Sequence, residues 1–164
     1  MMKRSDFEIM APVGSYDSLT AAIQGGADSV YFGIEGLNMR ARSSNNFTID
    51  DLHEIVRICN EHHIKSYLTV NTVIYDEDIP LLHRIIDAAK EAGLSAIIAS
   101  DVAAMTYARE IGVEVHLSTQ LNISNTEALR FYARFADVVV LARELNMEPV
   151  SYTHLRAHET ELHL

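Results

Sequence analysis

The chain has 164 residues, 48% hydrophobic and 22% charged, which suits one globular domain with a substantial core and excludes a disordered chain. A formal charge of −10 argues against a broad phosphate-binding surface. Cys59 is the only cysteine, which excludes an internal disulfide and any cysteine-only cluster held by this chain alone.

The start MMKRSDFEIM lacks the apolar segment of a secretory signal, and no run of about 18 apolar residues follows, so the cytoplasm is the expected compartment. FEIMAPV, residues 7–13, reads as the first strand. Ser15 then caps a helix carrying Leu19, Ala22 and Ile23, which Gly25 and Gly26 stop. SVYFG is the second strand. After a polar loop, Thr48 and Asp51 form a capping-box start, and Leu52, Ile55, Val56 and Cys59 make one helical face, which places Cys59 in the core.

IKSYLTVNT is the third strand, and Asp78 is the expected cap of the next helix, with Pro80 in its first turn and Leu82, Ile85, Ile86 and Ala89 on its buried face. SAIIAS is the fourth strand, followed by a helix over residues 102–111. VEVHLST is the fifth; Ser124 and Glu127 are read as a further capping box before Ala128, Phe131, Tyr132 and Phe135. DVVVLA is the sixth strand, and Asn146 is placed to cap a sixth helix. The segments GGADSVYFG, AGLSAIIAS and RFADVVVLA form a weak internal repeat.

Such a βα series yields a parallel sheet, open or closed as a barrel. Strand five alternates Val113, Val115 and Leu117 against Glu114, His116, Ser118 and Gln120, and strand three sets Leu68 and Val70 against Tyr67, Thr69 and Asn71. Strands buried on both faces would be more uniformly apolar, so the expectation is an incomplete (βα) TIM-barrel-like α/β domain with a polar upper lumen, about six parallel strands and five helices.

Every strand also ends in small or polar residues: Gly14-Ser15, Gly33, Asn71-Thr72, Ser100-Asp101, Ser118 to Gln120, Arg143-Glu144. Barrel enzymes place their sites at that end. Ser15, Asp101 and Ser124 read first as helix caps, and Glu8 with His116 as an internal pair. Asn71, Gln120 and Arg143 are different, because amide and guanidinium groups directed into a lumen need polar partners, and ligand binding is the reading for all three. No GxGxxG, P-loop, HExxH or paired-cysteine spacing occurs, and His62-His63 reads as a solvated helix end.

Taken in order, IMAPVGS, ADSVYFG, LNMRARSSNNF, YLTVNT, VHLSTQLNISN and VVLARELNME resemble the N-terminal region of the collagenase-like peptidases, family U-32. That family also contains tRNA and ribosomal-RNA hydroxylation proteins and ubiquinone-biosynthesis proteins. The resemblance implies a βα-barrel domain, a peptide or RNA substrate, and in several members an iron-sulfur cluster bound by cysteines further along the chain. Cys59 does not match those positions, so no cofactor is expected in this chain itself. In this view Arg40, Arg42, Asn71, Gln120 and Arg143 bind an anionic small molecule or nucleotide at the barrel mouth; no catalytic residue is assigned.

The tail VSYTHLRAHETELHL places His154, His158 and His163 close together, as a metal site would. One codon choice for VSYTHLRAHET instead spells the transposon end and adapter used in short-read library preparation, so residues 149–164 are read as non-native and residues 1–148 as a truncated barrel domain. The fragment alone is then expected to be inactive. An unclosed barrel leaves strand edges and apolar surface unpaired, so self-association is expected, with no membrane partner, and a monodisperse monomer in sedimentation would contradict it. The alternatives are a non-functional broken gene product and a small-molecule lyase or aldolase barrel; the latter needs a Schiff-base lysine or a metal carboxylate set at strand ends, and neither is visible, since Lys65 starts its strand.

Overall fold

The computed structural model describes residues 7–34, 36–37 and 47–145. Strands and helices alternate through this span: β1 (Met10–Pro12), α1 (Tyr16–Gln24), β2 (Ser29–Gly33), α2 (Ile49–Glu61), β3 (Lys65–Val70), α3 (Ile79–Ala92), β4 (Ala96–Ala99), α4 (Val102–Glu110), β5 (Val115–Leu117), α5 (Thr126–Tyr132) and β6 (Val138–Val139). All six strands are parallel and lie in chain order, β1 to β6, and the sheet curls into a half-barrel. The expected TIM-barrel-like architecture is what the chain adopts.

The register sorts the strand residues into two faces. Phe32, Leu68, Ile97 and Val115 are partners across four strands, and Val70, Ala99, Leu117 and Val139 form the next row. Both rows belong to one core with Leu52, Ile55, Leu82, Ile85 and Met105 from the helices. Burying each such side chain contributes roughly 1.5–3 kcal/mol, which is why helices with one apolar stripe settle on this face. The other face lines the lumen. It carries Tyr31, Tyr67 and Ala96 in one layer and Gly33, Thr69, Ile98, His116 and Val138 in the next.

Several local expectations need correction. Asp78 does not cap α3; its carboxylate accepts from Tyr75 N–H at 2.9 Å and closes the short 3₁₀ turn Asp76–Asp78 that precedes the helix. Asn125 rather than Ser124 caps α5, accepting from Ala128 N–H at 2.9 Å, because its backbone is the extended residue that opens the helix. The first strand is shorter than residues 7–13, and Phe7 and Ile9 are exposed. The α5 face also differs: Leu129 is buried, while Phe131 is half-exposed under the Arg134 guanidinium. The helix stops at Tyr132, too short to bury four aromatic and aliphatic positions at once. Thr48 and Asp51 do form the expected capping box, and His62 and His63 are exposed at the end of α2.

Candidate functional site

At the N-terminal end of the sheet the charged and aromatic side chains satisfy one another, while the buried hydroxyls of Ser29 and Ser66 have no partner. Glu8 accepts from the Tyr67 hydroxyl at 2.6 Å and from Lys65 Nζ at 2.7 Å. The Tyr67 ring lies 4.8 Å from that of His116, whose Nε2 is 2.8 Å from Glu114 Oε1. Glu8 and His116 are therefore not partners of each other; Tyr67 stands between them. Asp137 accepts from Val115 N–H at 2.9 Å and meets Arg109 at 3.6 Å, and Asp28 accepts from Ile9 N–H at 2.7 Å.

These contacts set charge states. Burial raises the Tyr67 hydroxyl well above its ordinary range and the Glu8 carboxylate adds to the effect, so Tyr67 stays a donor. Burial also opposes charge on Glu8, but hydrogen bonds from Lys65 and Tyr67 outweigh it and hold the carboxyl below its usual value. A carboxylate depressed in the folded state stabilises the fold above the unfolded pKa, and that contribution is lost as pH falls through the folded value. Acid titration of stability is thus expected to show a decline beginning near pH 4.5 that Glu8→Gln flattens. Denaturation midpoints against pH measure this, and identical curves for the two proteins would refute it.

The C-terminal end differs. Helix starts there use their caps: Ser15 and Ser18 form a capping box on α1, Asp101 accepts from Ala103 N–H at 2.8 Å, and Thr48 with Asp51 opens α2. The Tyr16 hydroxyl donates to Asp51 at 2.7 Å; burial and that carboxylate push its pKa up to about 12. The expected cap roles of Ser15 and Asp101 are thus observed. Ser118 is buried, its hydroxyl accepting weakly from Gln120 N–H at 3.4 Å. Among the described residues, the side chains of Asn71, Ser100, Gln120 and Arg143 have no partner in the protein. Asn71 and Ser100 are half-buried; Gln120 and Arg143 are exposed.

Three of the five sequence candidates therefore sit at the mouth with free polar groups. Arg40 and Arg42 lie outside the described residues. Their segment joins Leu37 to Phe47, both buried, and Ile34 pairs with Phe47 beyond the end of β2. Gly36 holds φ +97, and a Cβ there would stand 3.0 Å from Leu81, so the turn into this segment needs glycine. Sequence reasoning passed over Ser100 as a mere strand end; its parity with Ile98 was the available signal. It likewise paired His116 with Glu8 although Glu114, two residues away on one strand face, is the nearer carboxylate.

Carboxylates gather at the helix starts, and the opposite end carries both signs, with Glu8, Asp28, Glu114 and Asp137 beside its cations. Asp17, Asp50, Asp51, Asp76, Glu77, Asp78, Asp101 and Glu127 stand at helix starts or in the turn just before one, all on the mouth side. Lys90, Arg109 and Arg130 occupy last turns at the opposite end. This distribution complements the helix dipoles.

Burial pushes the Cys59 thiol up to about 11, so it is neither a nucleophile at neutral pH nor placed to hold an iron-sulfur cluster from within the core. Among the described residues no group of three or more His, Cys, Asp or Glu side chains could hold a metal ion, and no helix is long and apolar enough to cross a membrane. Lys65, committed to Glu8 at the N-terminal end, is in no position to form a Schiff base at the mouth.

Comparison with known proteins places this architecture. Peptidase family U32 matches residues 14–163, a span that runs into the tail set apart by the codon reading; that tail lies outside the described residues. The chain is 76% identical over 153 residues to a collagenase of Porphyromonas gingivalis, covering 93% of this chain and 37% of the relative. It is 35% identical over 140 residues to tRNA hydroxylation protein P1 of Bacillus subtilis, covering 84% of this chain and 33% of that protein. The chain therefore spans about a third of the length of these relatives. The solved structure of the U32 peptidase Mk0906 superposes with a TM-score of 0.73 at 16% identity, over 91% of this chain and 64% of the other, and establishes a shared fold. By sequence over nearly its whole length, the chain belongs to peptidase family U32.

Proposed function

We propose that the intact protein is an enzyme of the U32 peptidase type that takes a polypeptide at the barrel mouth, and that this chain supplies the binding half-barrel. The observation that carries the reading is that the Asn71, Gln120 and Arg143 side chains are free at the C-terminal end, whereas the charged and aromatic groups Glu8, Lys65, Tyr67, Glu114 and His116 at the other end are tied to one another. Free donors and acceptors at the C-terminal end of such a barrel favour a ligand that completes them. Arg143 is assigned to an anionic group of that ligand, such as a peptide carboxylate. The bond-changing groups are assigned to the larger part of the relatives that this chain does not match.

A protein substrate is favoured over RNA by the 76% identity to a collagenase, and the formal charge of −10 disfavours a long phosphate backbone more than a single carboxylate. The tRNA hydroxylation relatives support RNA as the second reading. Titration of the intact protein with gelatin peptides and with a tRNA separates them. Peptide binding is expected, weakened about tenfold by Arg143→Ala, as loss of a charged hydrogen bond implies, and less by Gln120→Ala. Unchanged affinity in both variants would sink the site assignment; tighter tRNA binding lost in the same variants would replace the substrate.

A further inference from the structure

Within that same site, and resting on the reading of the mouth as the ligand site, we propose that Asn71 and Ser100 form a subsite that reads a neutral amide. It would select a ligand offering a hydrogen-bond donor and acceptor side by side, as a peptide group does. Val70 and Ala99 are register partners on β3 and β4. Asn71 and Ser100 follow them directly, on strands about 4.8 Å apart, and continue the alternation that turns Thr69 and Ile98 to the lumen.

Directly beneath these two positions the wall offers no free polar group, and His116, farther along the same layer, has its Nε2 committed to Glu114. The Thr69 hydroxyl is committed to the Phe32 carbonyl at 3.0 Å, Ile98 is apolar, and Gly33 has no side chain. Asn71 and Ser100 are thus the first half-buried groups of this wall free to bond inward. Asparagine brings one acceptor and two donors, serine one donor with acceptor capacity, and neither brings charge. Together they match both edges of an amide.

An anion fits poorly at this point. Asp101 immediately follows Ser100, and its carboxylate is held in place by Ala103 N–H at 2.8 Å. A phosphate against Ser100 would meet that charge. A nucleobase edge carries a similar donor and acceptor pair, but it brings its phosphates towards the acidic helix starts. The peptide group is the better match.

The test uses the intact protein with two probes, acetyl-triglycine, which keeps a C-terminal carboxylate for Arg143, and its analogue with the central amide replaced by an ester, which deletes one donor. The expected result is an amide preference of about tenfold in the unmodified protein that falls to about one in Asn71→Leu and in Ser100→Ala. A preference that persists in both variants overturns the subsite. If Arg143→Ala still weakens both probes equally in that event, the mouth reading stands without it; if no mouth variant changes either affinity, both fall. Tighter binding of cytidine 5′-monophosphate, lost in Asn71→Leu and Ser100→Ala, would overturn the peptide assignment in favour of a nucleotide. Asn71→Asp, of nearly equal size, controls for folding: it should bind the ester analogue no better and the amide more weakly, and full amide affinity there also counts against the proposal.

Discussion

Phe32→Ala is expected to lower folding stability by about 3–5 kcal/mol, a large part of the roughly 5–15 kcal/mol of a typical domain. Phe32 is fully buried in the middle of β2, in the row with Leu68 and Ile97. Its ring also meets Phe47 edge-on at 6.0 Å, and Phe47 in turn meets Tyr16 at 5.6 Å. Removing it opens a cavity where the sheet, the return of the long β2–α2 connection and α1 converge. The surroundings are poorly able to collapse, because Phe47 is tied by its bridge to Ile34 and Tyr16 by its bond to Asp51. Urea denaturation followed by circular dichroism measures the loss; a change below about 1 kcal/mol would show that this junction is not part of the core.

Ala96→Ile is expected to cost about 1–3 kcal/mol through overpacking. Ala96 is buried on the lumen face, a register partner of Tyr67, and its small size lets the rings from β3 and β5 reach each other across β4. Extra methyl groups there force the Tyr67 and His116 rings apart. The aromatic proton resonances of His116 should then move as the tyrosine ring current is withdrawn, alongside the lost stability. Unaltered resonances would mean that β4 does not set this contact.

The architecture was legible because its determinants are local. Apolar periodicity located all five helices and all six strands, and the alternation in VEVHLST and YLTVN marked a lumen rather than a second helix layer. Caps were less legible: Asn125 and Ser124 are chemically equivalent as caps, and only the backbone turn decides between them. Asp78 was misassigned for a related reason, since a carboxylate before a proline-containing helix serves equally well to close the preceding turn. At the site, Asn71, Gln120 and Arg143 stood out because their groups need partners. Ser100 did not, since a lone serine at a strand end has many uses and its freedom from hydrogen bonds appears only in three dimensions. The pairing of Glu8 with Tyr67, 59 positions away, was likewise beyond any local pattern.

The central claim is that the two ends of this half-barrel do different work: the Glu8, Lys65 and Tyr67 cluster at the N-terminal end holds the fold, and the free Asn71, Gln120 and Arg143 side chains at the C-terminal end hold the ligand. The most direct test measures stability and gelatin-peptide affinity together for Glu8→Gln and Arg143→Ala in the intact protein. Glu8→Gln should lower stability at neutral pH with affinity unchanged, and Arg143→Ala should weaken affinity about tenfold with stability unchanged. The reverse pattern, affinity following Glu8 while Arg143 affects only stability, would contradict the account.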